Sequence, residues 1–373
     1  MTDSLREFYE SLNQEERALA AEVATDRLGL LMRIAINELD LDFERVDLGA
    51  EPTEADQERS YLMRIDVPRD ISVDEAKRRI PDAGLRRHLS WGMDFDSRAL
   101  SFDEVEEHWE TEVKESHHAN RERAKQGLIV QFGEHAIDSK IENFVAIGTK
   151  PMSVLAYHNA FFEQVRNAFV MGQYYPALVG ACALGERILN HLILDMRPFF
   201  SATPEYRRVH RKDSFDNWDV PIDTLEAWDI LLPEAVTEFR ALKLLRHRSI
   251  HFNPSTYATL RDDALAAILH MRTIIEQQFG SFAVRPWFIP GTLGHVFIRK
   301  AFESHPFVAT YFLPRCPFVG PLFGMGLAES GGWEVYDVPD YGDGQCSDEE
   351  FAQRYNERDP AQVVTERPIC ERA

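Results

Sequence analysis

Hydrophobic positions recur every three to four residues through much of this chain, which predicts a mainly α-helical fold. The pattern is most regular over 151–280. Phe161, Phe162, Val165 and Phe169 fall in a helix predicted over 155–170 and are read as core, and Gly172 is placed to end that helix. Pro176 opens a more apolar helix over 177–196, stopped by Pro198, in which Gly180, Ala181, Ala183 and Gly185 allow a neighbour to approach closely. Pro221 opens a short helix, and Pro233 opens another that Asn253-Pro254 terminates. Ser255 or Thr256 caps a last helix running to Phe279, with Gly280 beyond it. Together these segments predict a central antiparallel bundle of roughly four to five helices.

The flanks read differently. Residues 1–40 read as an N-terminal helical segment carrying Leu5, Phe8, Leu12, Leu19, Val23, Leu30, Leu31 and Ile34, with a break expected at 11–13. Residues 41–150 mix an acidic loop (51–58), an alternating stretch (61–67) that predicts a strand, and a charged helix over 102–126, an α+β region of unassigned role. Residues 281–373 are rich in Pro, Gly and aromatics, which predicts a loop-rich extension held by its rings, with an acidic stretch after Asp337 expected to lack stable structure.

The length of 373 residues exceeds a single core, and an apolar fraction of 44% supports a folded protein. Acidic residues outnumber basic ones, 62 to 41, and the formal charge of −21 repels nucleic acid at long range, so any polyanion site is expected to be a local basic patch. Cys182, Cys316, Cys346 and Cys370 are scattered without a CxxC pair, which argues against a disulfide framework or a zinc ribbon. No leader pattern opens the chain, and no uninterrupted apolar run approaches the ~18 residues of a membrane span. A soluble, cytoplasmic protein with no membrane partner is expected.

One run disturbs the apolar pattern: Arg246-His247-Arg248-Ser249-Ile250-His251, near the end of the helix that Pro233 opens. At about 100° per residue, Arg246 shares a stripe with Phe239, Leu242 and Ile250. A guanidinium there needs a carboxylate, a second subunit or an anionic ligand, because an unpaired cation in an apolar seam is costly. Arg246 and His251 lie about 140° apart around the helix and do not converge, whereas His247 and His251 share a face.

The spacing Arg246, polar His247, three further positions, then His251, on the penultimate helix of a bundle whose apolar helix reads Ala177-Leu-Val-Gly-Ala-Cys-Ala-Leu-Gly-Glu186, resembles the HEPN (higher eukaryotes and prokaryotes nucleotide-binding) superfamily. The likeness covers about 155–280. The resemblance implies a metal-independent endoribonuclease of the toxin–antitoxin or antiviral-defence kind. It implies no cofactor, and a homodimer in which two motifs form one cleft. It casts Arg246, His247 and His251 as the catalytic set, with Glu186 in support. Cleavage through the RNA's own 2′-hydroxyl needs a base, an acid and cationic donors, and two histidines related by a twofold axis supply both proton roles. Arg248 and the loop cluster Arg207, Arg208, Arg211 and Lys212 are the expected RNA contacts, and an inhibitory antitoxin or defence-system protein is the expected partner.

Each of these side chains also has an ordinary role. Arg246 pairs with Glu186 across the bundle, His251 bonds free carbonyls at a helix end, His247 and Arg248 are solvated, and 207–212 is a solvated turn. His117 and His118, adjacent on a helix, point apart and are expected at the surface rather than on a metal. Trp287, Phe288, Trp333 and Tyr336 are read as packing rather than as base-stacking platforms. A non-catalytic nucleotide- or RNA-sensing module and a partner-binding scaffold therefore stand beside the nuclease as alternatives.

Overall fold

The computed structural model describes residues 65–66, 84–89, 93–154, 157–250, 256–281, 285–313, 316, 318–327, 333–338, 341 and 346–365. These residues are mainly helical with short strands. The predictions for 1–40 and for the loop 51–58, and the placement of His251, Ser255 and Cys370, lie outside the described residues. The chain divides into two compact units, one containing 93–281 and the other 63–92 together with 282–373.

The first unit opens with strand β3 (Met93–Asp96), followed by α1 (Thr111–Phe132), α2 (Ile137–Ile147) and β4 (Lys150–Val154), which pairs antiparallel with β3. Helices α3 (Tyr157–Val170), α4 (Tyr174–Met196), the single turn α5 (Tyr206–Val209), α6 (Asp219–Ala227), α7 (Pro233–Ile250) and α8 (Thr256–Phe279) complete it. Pro176, Pro221 and Pro233 all stand in the first turn of their helices, where the missing N–H has no intrahelical partner to lose. Gly172, at φ +74°, ends α3: its N–H donates to Phe169 O and that of Gln173 to Ala168 O, the paired bonds of a left-handed C-terminal cap.

Helix α4 is the hub. It packs against α3, α6, α7 and α8, and its buried residues, including Leu178, Leu184, Ile188, Leu189 and Ile193, lie on several sides of the helix, as expected of a core helix. Among the described residues it is the one helix long and apolar enough to cross a membrane, but over half of its apolar window, 56%, is buried inside the protein. Gly185 sets the packing distance, because a Cβ there would lie 2.8 Å from both Leu242 of α7 and the Trp218 ring. Phe162 and Phe169 are buried in the core, but Phe161 is exposed. It differs from the expectation because consecutive helix positions diverge by about 100°, and at this point of α3 the core lies on the Phe162 side.

In the second unit, β2 (Arg86–His88) lies between β5 (Phe297–Ile298) and β6 (Phe318–Val319), antiparallel to both. A second sheet orders β1 (Ile65–Asp66), β8 (Trp333–Tyr336) and β7 (Gly324–Leu327); β1, inside the alternating stretch 61–67, runs parallel to β8. Helix α9 (Pro306–Tyr311) precedes β6, and α10 (Asp348–Asn356) follows β8. The acidic stretch after Asp337 thus contains a helix, with a capping box in which Ser347 and Glu350 satisfy each other's backbone N–H. Phe297, Val319, Phe323, Val335, Phe351 and Tyr355 form this unit's core, and Trp287, Phe288 and Tyr336 are buried packing residues.

Candidate active site

The apolar stripe of α7 buries Phe239 and Leu242 completely, then reaches Arg246, whose side chain retains 17% exposure. Its guanidinium pairs with the Glu186 carboxylate of α4, Nη2 to Oε2 at 2.9 Å. The same carboxylate oxygen accepts from the indole Nε1–H of Trp218 at 3.2 Å. The guanidinium also sits 5.5 Å from the centre of the Trp218 ring and donates through Nη1 to Asp216 O at 3.4 Å. Arg246 is thus oriented by a carboxylate, an aromatic face and a peptide oxygen. The close approach at Gly185 is what lets the Trp218 ring reach this place beside the next residue, Glu186.

These groups open onto a cleft of about 460 Å³, within the size range of small-ligand sites. Glu186, Arg187, Asn190 and His191 from one side of α4 line it, with Asp213 and Arg246 opposite; Val179, Ala183 and Leu194 continue the α4 stripe. Each side of this lining thus carries one carboxylate and one guanidinium, Glu186 with Arg187 and Asp213 with Arg246.

The remaining predicted residues are dispersed. His247 is exposed on α7. Arg248 points outward and pairs with Asp263 of α8 at 2.8 Å, a carboxylate that also accepts from Thr259. Arg207 and Arg208 are exposed on α5, and Arg207 lines a second cleft of about 450 Å³ with Thr203, Tyr206 and His210. Arg211 and Lys212 are exposed on the loop beyond, which Arg197 fastens by donating to Lys212 O at 3.0 Å and pairing with Asp213 at 3.3 Å. His117 lies against Trp109 and Asp103 O, and no group of metal-ligating side chains is found among the described residues.

Sequence reasoning did not find Trp218, Arg187, Asn190, His191 or Asp213. For three of them a signal existed: Arg187, Asn190 and His191 interrupt the most apolar helix within five residues of Glu186. It also missed buried charge in the second unit. Arg86 is 1% exposed, pairs with Asp348 at 2.6 Å and donates to Cys346 O, while Arg87 lies 3.9 Å above the Phe318 ring. His88 Nε2 and His295 Nδ1 are 2.7 Å apart among Phe297, Phe323 and Tyr355. Burial, then His295 and Arg358, hold His88 well below the usual histidine range; burial, then Arg358, bring His295 down to about 4.

No protein-family model matches this chain, and no curated protein or solved structure is significantly similar to it.

Proposed function

We propose that the helical unit is a metal-independent endoribonuclease of the HEPN type, a cytoplasmic toxin or antiviral-defence effector. It cleaves RNA by 2′-hydroxyl attack, works as a homodimer, and is restrained by an antitoxin or defence-system partner. What supports the reading is the setting of Arg246. The one cation that interrupts the α7 core stripe is pre-oriented by Glu186 and Trp218 at the rim of a cleft large enough for a nucleotide. In this reading Arg246 clamps the scissile phosphate and meets the charge that builds on its oxygens, Glu186 holds Arg246 in place, and His251 transfers protons with His247 beside it. Arg207, Arg208, Arg211 and Lys212 lead the RNA toward the cleft.

The same observation gives a second reading its footing. Arg246 already has a carboxylate partner 2.9 Å away, as it would in a non-catalytic nucleotide- or RNA-sensing module that captures an anion only when Glu186 yields. Full-length protein incubated with single-stranded RNA and a chelator, beside Arg246→Ala and His251→Ala, separates the two. Chelator-resistant cleavage lost in both variants is expected. RNA recovered intact from every sample overturns the nuclease, and anisotropy with labelled RNA then tests the binding module.

A further inference from the structure

Phe161, exposed on α3, is not bare: the Arg187 guanidinium of α4 lies 4.9 Å from the centre of its ring. Arg187 is itself exposed and lines the Arg246 cleft. The other guanidiniums here have carboxylates, Arg246 through Glu186 at 2.9 Å and Arg197 through Asp213 at 3.3 Å, whereas among the described residues none pairs with Arg187. An aromatic face steadies the plane of a guanidinium and leaves its N–H edge to an anion. Asn190, one turn further along α4, supplies a matching amide. Its Oδ1 is enclosed with no donor among the described residues, so what the amide offers the cleft it lines is the Nδ2 donor. At about 100° per residue Asn190 falls between Glu186 and Arg187, about 40° from the first and about 60° from the second, and Ala183 and Leu194 fall in the same arc. One edge of α4 therefore meets Arg246 through Glu186, the other carries Arg187, and the helix surface between them is uncharged.

We propose that Arg187 and Asn190 form a second phosphate site, which holds the phosphodiester next to the one at Arg246 in a bound RNA strand. The identity of the strand rests on the ribonuclease reading above. Arg187 donates two parallel N–H bonds to the non-bridging oxygens and Asn190 Nδ2 donates a third, while the nucleotide between the two phosphates lies over Ala183 and Leu194. A strand held at one phosphate can swivel; held on both edges of one helix, it has a fixed direction and register.

The test is fluorescence anisotropy of the full chain with a labelled single-stranded 2′-O-methyl RNA, which has no 2′-hydroxyl to attack with, from about 50 to about 200 mM salt. Arg187→Gln is expected to weaken binding about tenfold and to make the slope of log affinity against log salt shallower by about 0.7, the share of one single-strand phosphate, with an unchanged melting temperature. Arg187→Lys should restore the slope but not the full affinity, and Asn190→Leu should cost about 3–10-fold with the slope kept, because the amide carries no charge. Adenosine 5′-monophosphate, with one phosphate to offer, should bind far more weakly than the strand; equal affinity overturns the assignment to a strand. An Arg187→Gln protein with wild-type affinity and slope overturns the site and leaves the ribonuclease reading to its own assay, as does a loss of affinity with the slope intact. A wild-type chain that holds the strand through Arg187 but cleaves no RNA removes the ribonuclease reading and keeps the site. A wild-type chain that does not hold the strand overturns the site, whatever the cleavage assay gives.

Discussion

Gly185 is the position where fold and site are most tightly joined, and replacing it tests both. A Cβ there would come within 2.8 Å of Leu242 Cδ2 and of the Trp218 ring, where carbon atoms prefer about 3.5–4.0 Å. Neither neighbour has room to retreat, since Leu242 is fully buried and Trp218 is 1% exposed. Overpacking of this kind costs about 1–3 kcal/mol, against which the helix recovers up to ~1 kcal/mol of propensity when glycine becomes alanine. Gly185→Ala should therefore cost about 0–2 kcal/mol. Gly185→Val, which adds two further methyl groups on a stiff β-branched side chain, should cost about 2–4 kcal/mol. At about 2–4 °C per kcal/mol for a unit of this size, the valine variant melts roughly 5–15 °C lower by calorimetry. Gly127→Ala is the internal control: it lies within α1, its Cβ would meet only Arg98 Nη1 at 3.5 Å, and it should gain about 0.5–1 kcal/mol. A Gly185→Val protein that melts within about 1 °C of wild type would refute the close approach of α4, α7 and Trp218, and with it the support of Glu186.

Three other outcomes follow from the geometry. Glu186→Ala removes the acceptor of both Arg246 and Trp218 and should cost about 1–3 kcal/mol by urea unfolding; a neutral result denies the clamp. Arg86→Met strands the Asp348 carboxylate and should cost about 3–5 kcal/mol, whereas adding Asp348→Asn should recover part of it in a double-mutant cycle; strict additivity would deny the coupling. The histidine pair makes stability rise with pH. Both folded-state values are depressed, so the unfolded chain binds more protons, and the contribution is complete above about pH 6.5 and drains away as pH falls toward about 4. For half-buried His295, from 6.5 to about 4, this is about 2 kcal/mol after allowance for its exposed edge. His295→Leu should flatten the acid limb of stability in urea titrations relative to wild type, and an identical limb would exclude the pair as its source.

Local punctuation made much of the helical unit legible. The first-turn prolines at 176, 221 and 233 and the Gly172 cap act within one helical turn, and one turn is what a sequence window sees. Arg246 was legible as a cation needing a carboxylate, a second subunit or an anionic ligand, because it continues the stripe that buries Phe239 and Leu242, and within the chain Glu186 supplies the first of these. Trp218 was not, since its role depends on a loop folding back 32 positions onto α4. Apart from β1, which falls in the alternating stretch 61–67, the strands were equally hidden: at two to five residues they are too short to show a period of their own, and β2 finds its partners only near 298 and 318. Arg86-Arg87-His88 reads as a surface segment on polarity alone, because buried guanidiniums are rare unless paired, and Asp348, a partner of Arg86, lies far along the chain.

The way the chain is shared between its two units bears on its synthesis. Ser281, where the helical unit ends, donates its N–H to Met152 O in β4, and β4 pairs with β3, the first strand described in that unit. The helical unit can therefore close on itself while the polypeptide is still being made. Strand β2 has no such freedom: its mates emerge roughly 210 residues later, which at about 5–20 residues per second leaves Arg86, Arg87 and His88 waiting about 10–40 s on the ribosome. During that interval two guanidiniums and an imidazole, rather than an apolar β-strand, are what the nascent chain shows to the cell, and a charged segment is a poor seed for aggregation.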